Sequence, residues 1–247
     1  MIYVVAHPKT LSIELAFNST IMQLHVLKLR LDLDSDLSQK DARKIRNYLG
    51  RLFKDDSYAH NHLDDGKFIY RYPRVQYKVI NNHCFIVGFN EGNNVIKQVF
   101  DELRILNLEG KWQEILSKSL DSKIYHFGIS QNPTSYRFLT PWLALNEKNY
   151  QKYRQQQSLD LRKTLLESIL IGNILSLSKS LGYTVSDPIK AEIKFIREVP
   201  AKLKGVGMTA FMGRFSVNFE IPDLFGIGKS VSRGFGTIKR CQDPTIR

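Results

Sequence analysis

The amino-acid sequence predicts an α+β protein made of two domains that each follow the order βαββαβ. Two observations predict this fold class. The chain has 247 residues, a comfortable length for two domains. Stretches with the two-residue period of strands and the 3.6-residue period of helices succeed one another in a similar order in both halves. This order is typical of the ferredoxin-like, or RRM-like, fold. We therefore expect an N-terminal domain at residues 1–115 and a C-terminal domain at residues 116–247.

The first half supplies one complete set of these elements. Apolar and polar side chains alternate in its strands, and Ala42, Ile45 and Leu49 share one face of its first helix. The expected elements are a strand over 20–33, a helix from its capping residue Ser38 to about Phe53, strands over 67–80 and 83–89 joined by the turn Asn81–Asn82, and a helix over 94–106.

The second half begins after a boundary that we place near residues 110–119. Its strand and helix patterns repeat the order of the first half, although the two halves are not similar in sequence. The expected elements are a strand over 121–129, an amphipathic helix over 159–181 ended by Gly182, and a hairpin of strands over 189–202 and 207–221 with Gly205 and Gly207 near its turn.

The charge of the chain is strongly positive and unevenly distributed. The formal net charge is +12, of which +9 falls in residues 124–247. A basic surface is typical of proteins that bind a polyanion, because each neutralised phosphate releases a counterion. Solubility alone or an acidic protein partner would produce the same charge. The composition therefore favours a nucleic-acid partner without requiring one.

The sequence also predicts a cytoplasmic protein with no membrane contact. Cys84 and Cys241 are the only cysteines, which argues against a disulfide framework and for a reducing compartment. The first residues, MIYVVAHPKTL, lack the basic region of a signal peptide. The most apolar later stretch, residues 168–178, is too short for a bilayer that needs about 20 residues.

The most specific stretch is a glycine-rich loop at residues 225–239, with the spacing G-x-G-x5-G-x-G. Glycine permits positive φ and close backbone approach, so amide N–H groups can converge on phosphate oxygens while nearby cations follow a sugar-phosphate chain. A turn between strands that binds nothing is the simpler alternative. The predicted RNA-binding residues are Gly226, Gly228, Lys229, Ser230, Arg233, Gly234, Gly236, Lys239 and Arg240.

The letters GKS at residues 228–230 also suggest a nucleotide-binding P-loop. That motif requires a glycine five residues before Gly228, where Asp223 stands, and an α-helix after the loop. Residues 231–238, VSRGFGTI, contain two glycines and several β-branched residues, which disfavour a helix. We therefore reject a nucleoside-triphosphatase function.

A second dense stretch, residues 58–77, contains His60 and His62, whose imidazoles would face the same way in an extended segment. Histidine suits proton transfer near neutral pH, and Tyr70 follows among several cations. Together with Asp64 and Asp65 the histidines would also suit a metal, but no remote histidine or cysteine completes such a site. We expect no metal and no cofactor.

Residues 60–80, HNHLDDGKFIYRYPRVQYKVI, and residues 226–236, GIGKSVSRGFG, resemble the CRISPR-associated endoribonucleases that process precursor CRISPR RNA, in the branch with paired histidines. The resemblance extends over residues 46–88 and 190–240. The glycine-rich loop is shared with non-catalytic repeat-binding proteins, whereas the YRYPxVQYK pattern is more specific to this branch.

The resemblance implies tandem ferredoxin-like domains and cleavage of each repeat without a metal. The 2′-hydroxyl would attack the adjacent phosphate and leave a cyclic phosphate and a 5′-hydroxyl end. His60 and His62 would be the general base and general acid, in an order that stays open, and Tyr70 a third catalytic residue. The cation beside the phosphate also stays open, with Arg51, Lys54 and Lys67 as candidates.

These observations predict a metal-independent endoribonuclease whose partner is precursor CRISPR RNA, acting as a monomer or homodimer. Other subunits of a CRISPR effector complex are a second class of partner. Two alternatives remain. One is a non-catalytic RNA-binding subunit of the same fold. The other is an assembly protein whose basic face meets an acidic partner.

Overall fold

The structure is a computed structural model and describes residues 22–53 and 72–241. Its first half runs through β1 (Met22–Leu33), α1 (Asp41–Leu52), β2 (Val75–Ile80), β3 (His83–Phe89), α2 (Asn93–Glu102), β4 (Ile105–Leu108) and the long strand β5 (Lys111–Phe138). Its second half runs through α3 (Glu147–Gln155), α4 (Leu159–Leu181), β6 (Ala191–Leu203), β7 (Val206–Glu220) and β8 (Ile238–Arg240).

The N-terminal domain has the strand order β2-β3-β1-β5, with every neighbouring pair antiparallel. Helices α1 and α2 pack on one face of this sheet, where Leu29 of β1, Ile45 of α1 and Val95 of α2 are fully buried in one core. The first part of β5 occupies the position of the fourth ferredoxin strand. The short strand β4 forms a hairpin with it and extends the sheet.

The C-terminal domain has the strand order β6-β7-β5-β8, which is the same arrangement built around the second part of β5. Leu170 and Ile174 of α4 are buried against Phe215 and Val217 of β7 in the second core. The glycine-rich loop lies between β7 and β8, the position that a second helix occupies in the N-terminal domain. The structure confirms the prediction of two ferredoxin-like domains.

The two domains share strand β5. Its residues from Ile115 to Phe127 pair with β1, and those from Gly128 to Arg137 pair with β7. The domain boundary predicted between residues 115 and 116 therefore falls inside a continuous strand. In addition, Val26 and Phe89 of the first domain are buried in the core of the second. The domains consequently meet through a shared sheet and a shared core.

Most predicted elements are present with shifted ends. The helix over 159–181 and its end at Gly182, where φ is +78°, are confirmed. The turn at Asn81–Asn82 is confirmed too, with positive φ at both residues. The prediction that Ser38 caps α1 is wrong, because Ser38 donates its N–H and Oγ–H to the Asp41 carboxylate and the helix begins at Asp41.

Two other predicted ends differ from the structure. The helix predicted over 94–106 stops at Glu102, because the next apolar residues pair with the beginning of β5 as strand β4. The strand predicted over 121–129 is the middle of β5, which is 28 residues long. In the described part of the chain, no helix has the length and apolar character needed to cross a bilayer.

Candidate nucleic-acid interface

The predicted catalytic residues His60, His62 and Tyr70 fall in residues 54–71, outside the described part of the chain. Their roles stay predictions. Of the three candidate cations, only Arg51 is described, and its Nε donates to the carbonyl oxygen of Asn47 at 3.3 Å. Within residues 22–53 and 72–241, no group of three or more histidine, cysteine, aspartate or glutamate residues is arranged to hold a metal ion.

The glycine-rich loop is a tightly folded turn whose shape depends on its glycines. Gly228, Gly234 and Gly236 have φ values of +91°, +84° and +62°, which side chains rarely allow. A Cβ added at Gly236 would lie 1.9 Å from the carbonyl oxygen of Ile227, and one at Gly226 would lie 2.6 Å from the Cβ of Val231. Gly226 and Gly236 are therefore required by the packing of the loop on itself.

Several amide groups of this loop donate inside the protein. The N–H of Gly236 donates to Pro141 at 2.8 Å, that of Gly234 to Val231 at 3.1 Å, and that of Gly226 to the Gln76 side chain at 3.0 Å. In this conformation the N–H groups of Gly226, Gly234 and Gly236 are therefore already bonded within the protein, and the predicted RNA contacts of the loop stay a prediction. The GKS letters are followed by a three-residue 3-10 turn, Val231–Arg233, in place of the α-helix of a P-loop.

A buried polar cluster connects the loop to β2 and to Tyr72, which precedes β2. The Tyr72 hydroxyl donates to the carbonyl oxygen of Gly226 at 2.8 Å and accepts from its N–H at 3.1 Å. Gln76 and Lys78 are fully buried, and the Oε1 of Gln76 accepts from the Lys78 Nζ at 2.9 Å as well as from Gly226. Burial lowers the pKa of Lys78 to about 7. The two sequence motifs are thus brought into direct contact.

One cavity of about 680 Å³ beside the loop is strongly basic, and we call it the basic cavity. Arg233 lies in its wall. Burial lowers the pKa of Arg233, and the nearby charges of Arg46 and Arg43 lower it further. A negative charge beside Arg233 would raise this pKa again, because it would stabilise the charged guanidinium. The surroundings of Arg233 therefore favour binding of an anion. The cationic residues lining the cavity are Lys40, Arg43, Lys44, Lys111, Lys202, Lys204 and Arg233, against the two carboxylates Asp36 and Asp41.

A second cavity, of about 740 Å³, is nearly neutral, and we call it the neutral cavity. The Nζ of Lys229 donates to the carbonyl oxygen of Leu145 in its wall at 3.2 Å. Lys229 and Arg154 are its cations and Glu147 and Glu198 its carboxylates. Lys229 and Arg233 therefore line different cavities. The other predicted cations, Lys239 and Arg240, line neither.

The basic cavity contains residues that sequence reasoning did not select. Lys40 and Arg43 come from the start of α1, Lys111 from the start of β5, and Lys202 and Lys204 from the end of the β6–β7 hairpin. No spacing in the sequence joins such distant positions. The one available signal was the pair of lysines beside the predicted hairpin turn. By contrast, Arg240 is held by Glu220, with an Nη2 to Oε1 distance of 2.8 Å.

A tandem ferredoxin-like fold with a glycine-rich loop beside a basic cavity is the arrangement expected of a protein that binds a polyanion. Two family models extend this assignment over most of the chain. The Cas6b N-terminal domain matches residues 22–126, and the Cas6b C-terminal domain matches residues 128–241. The chain belongs to the Cas6b family.

Individual relatives agree with this assignment. A solved structure described as Cas6b is 38% identical, with a TM-score of 0.83 over 89% of this chain and 100% of the other. A second, described as the CRISPR RNA processing endoribonuclease Cas6b, is 33% identical, with a TM-score of 0.71 over 89% and 100% of the two chains. An uncharacterised protein of Methanocaldococcus jannaschii is 42% identical over 59% of this chain and 99% of its own length.

Proposed function

We propose that this protein is an endoribonuclease that binds precursor CRISPR RNA and cuts it within each repeat without a metal ion. The observation that carries the proposal is membership of the Cas6b family, in which a structure 33% identical to this chain is described as a CRISPR RNA processing endoribonuclease. The basic cavity supports the RNA partner, because seven cations and two carboxylates line a space that a phosphate chain would neutralise.

The chemistry assigned to His60 and His62 is proton transfer during attack of the 2′-hydroxyl on the adjacent phosphate. One group has to remove the proton from the 2′-oxygen, and another has to give a proton to the 5′-oxygen that leaves. Two imidazoles that titrate near pH 7 supply both functions, each worth about 10²–10⁴ in rate. Tyr70 is assigned to the same site as a third, weaker contributor. A cation would offset the charge that develops on the phosphate oxygens.

We assign binding and cleavage to different residues. Arg233 and Lys229 lie in the walls of the two cavities, so they would hold the RNA, while His60 and His62 would set the rate of cleavage. The glycines Gly226, Gly228, Gly234 and Gly236, with Ser230, would contribute by fixing the shape of the loop that carries both cations. Lys239 and Arg240 would contribute general attraction from outside the cavities.

The deciding experiment is cleavage of a labelled repeat RNA from the source genome in EDTA. The product should accumulate at nearly the rate measured with magnesium. A single 2′-deoxy substitution immediately 5′ of the cut should abolish cleavage and leave affinity nearly unchanged. If cleavage needs an added metal, or if the deoxy substrate is cut, the proposed mechanism is wrong.

Separate variants test the division between binding and cleavage. His60→Ala and His62→Ala should each keep affinity within a few-fold and slow single-turnover cleavage by about 10² or more. Arg233→Ala should weaken binding and make its salt dependence shallower by about 0.7, the value for one lost phosphate contact on a single strand. Lys229→Ala should also weaken binding, with a smaller change in salt dependence, because the neutral cavity has as many carboxylates as cations. Normal cleavage by both histidine variants would favour other catalytic residues or a binding subunit that does not cut.

A further inference from the structure

We propose that the neutral cavity is a subsite for one unpaired nucleobase of the bound RNA strand. This inference rests on the proposed function and concerns the side of the loop where Lys229 lines the neutral cavity. Lys229 is part of the glycine-rich loop and lines this cavity. An RNA strand bound by the loop would therefore lie beside the opening of the cavity. The cavity volume of about 740 Å³ is in the range typical of small-molecule sites and exceeds that of a single base.

The wall formed by α3 offers a surface for stacking. Tyr150 is 37% exposed and lines the cavity. The guanidinium of Arg154 lies 5.3 Å from the centre of the Tyr150 ring, and its Nε donates to the Tyr150 hydroxyl at 3.2 Å. This contact holds the aromatic ring and a planar cation together at the surface. Aromatic rings and arginine planes are the groups on which proteins stack unpaired bases.

An apolar part of the lining belongs to the β6–β7 hairpin. Val199, Ala201 and Met208 line the cavity and pack against a small core that contains Leu143 and Phe235. A base is flat and largely apolar on its faces, so a cavity with one apolar wall and one stacking wall suits it. A phosphate would find no excess of positive charge here, since Lys229 and Arg154 are balanced by Glu147 and Glu198.

The position of the cavity is consistent with one continuous strand of RNA. Ala201 lines the neutral cavity, while the next residue, Lys202, lines the basic cavity, so both cavities reach the same end of β6. The loop faces both, with Lys229 on one side and Arg233 on the other. A strand that crosses the loop would thus place phosphates in the basic cavity and turn one base into the neutral cavity.

The test is a binding titration in a His60→Ala/His62→Ala background, so that the repeat RNA stays intact. Adding Tyr150→Ala should weaken binding about 5- to 150-fold, the loss that base stacking on an aromatic residue predicts. Adding Tyr150→Phe should change it less than about twofold, because the ring remains. The control is Trp112→Ala, since Trp112 is 61% exposed and lines neither cavity. It should leave affinity unchanged.

A scan of single abasic nucleotides identifies the base. One abasic position should weaken binding to the background protein as much as Tyr150→Ala does and add little further loss in the Tyr150→Ala variant. If Tyr150→Ala binds normally while Arg233→Ala is weakened, the subsite inference is wrong and the proposed function stands. If the background protein fails to bind repeat RNA at all, the proposed function fails, and the subsite with it.

Discussion

The two domains differ most in the connection between their third and fourth strands. In the N-terminal domain this connection contains α2, whose interior amides bond to carbonyls of the same helix. In the C-terminal domain it is the glycine-rich loop, in which the residues between β7 and β8 form only a 3-10 turn of three residues. One position of the same fold is therefore filled by a helix in one copy and by a loop in the other.

The difference lies in where each connection finds its hydrogen-bond partners. The loop makes some of its hydrogen bonds internally, such as Gly234 to Val231, and takes others from elsewhere in the chain. Tyr72 and Gln76 of the first domain bond to Gly226, Pro141 accepts from Gly236, and Thr140 accepts from Thr237. A helix makes its backbone hydrogen bonds within itself, whereas this loop also depends on partners from both domains. A rigid support of this kind is typical of loops that bind ligands.

Gly236→Ala should have the largest effect on stability. The new Cβ would meet the Ile227 oxygen at 1.9 Å in a residue whose φ is +62°, so we expect a loss of about 3–4 kcal/mol in the free energy of unfolding. Gly205→Ala is the matched control, because its φ is +85° but the space around it is open. It should lose only about 1 kcal/mol. Equal losses in urea titrations of the two variants would contradict the tight packing of the loop.

Gln76→Leu should have the next effect, because it removes an acceptor shared by Lys78 and Gly226 in a fully buried position. Leaving buried donors without their partner costs about 1–3 kcal/mol each. We therefore expect a loss of about 2–3 kcal/mol and weaker RNA binding, since the loop loses a contact to β2. Chemical denaturation and the binding titration measure the two effects. Full stability with normal binding would show that the loop does not depend on the first domain through Gln76.

The pH dependence of stability should reveal Lys78. Burial lowers its pKa to about 7, against an ordinary value of 10.5, so between pH 7 and pH 10.5 the unfolded chain binds more protons than the folded one. Stability from this group therefore rises with pH across that window and is flat below it. The gain from pH 7 to pH 9 should be about 2 kcal/mol. Lys78→Met should remove this rise, and parallel curves for the two proteins would show that Lys78 titrates normally.

A substitution on the helical connection should have the smallest effect. Lys97 of α2 is exposed, so Lys97→Ala should change the free energy of unfolding by less than about 0.5 kcal/mol. It should also leave RNA affinity unchanged, because Lys97 lines neither cavity. A large loss of affinity would show that RNA contacts α2, and that the helical connection rather than the loop carries the RNA-binding surface.

The fold could be predicted largely from local patterns, and the site only in part. Periodicity located α4 to its end residues because its apolar positions and Gly182 are local signals. The loop was recognised from its four glycines, but the partners of its Gly226 and Gly236 amides, Gln76 and Pro141, could not be predicted because they are distant in the chain. The basic cavity was missed for the same reason. Lys40, Lys111 and Lys204 become neighbours only when three elements converge.

Strand β5 has a practical consequence for anyone who divides this protein. It supplies β1 with a partner along one part of its length and β7 along the next, and the two family matches meet within it, at residues 126 and 128. A truncation at that junction would leave each half its own part of β5, but it would uncover Val26 and Phe89, which belong to the first domain and are buried in the core of the second. Exposed apolar surface promotes aggregation. The two domains should therefore be expressed and purified together as one chain.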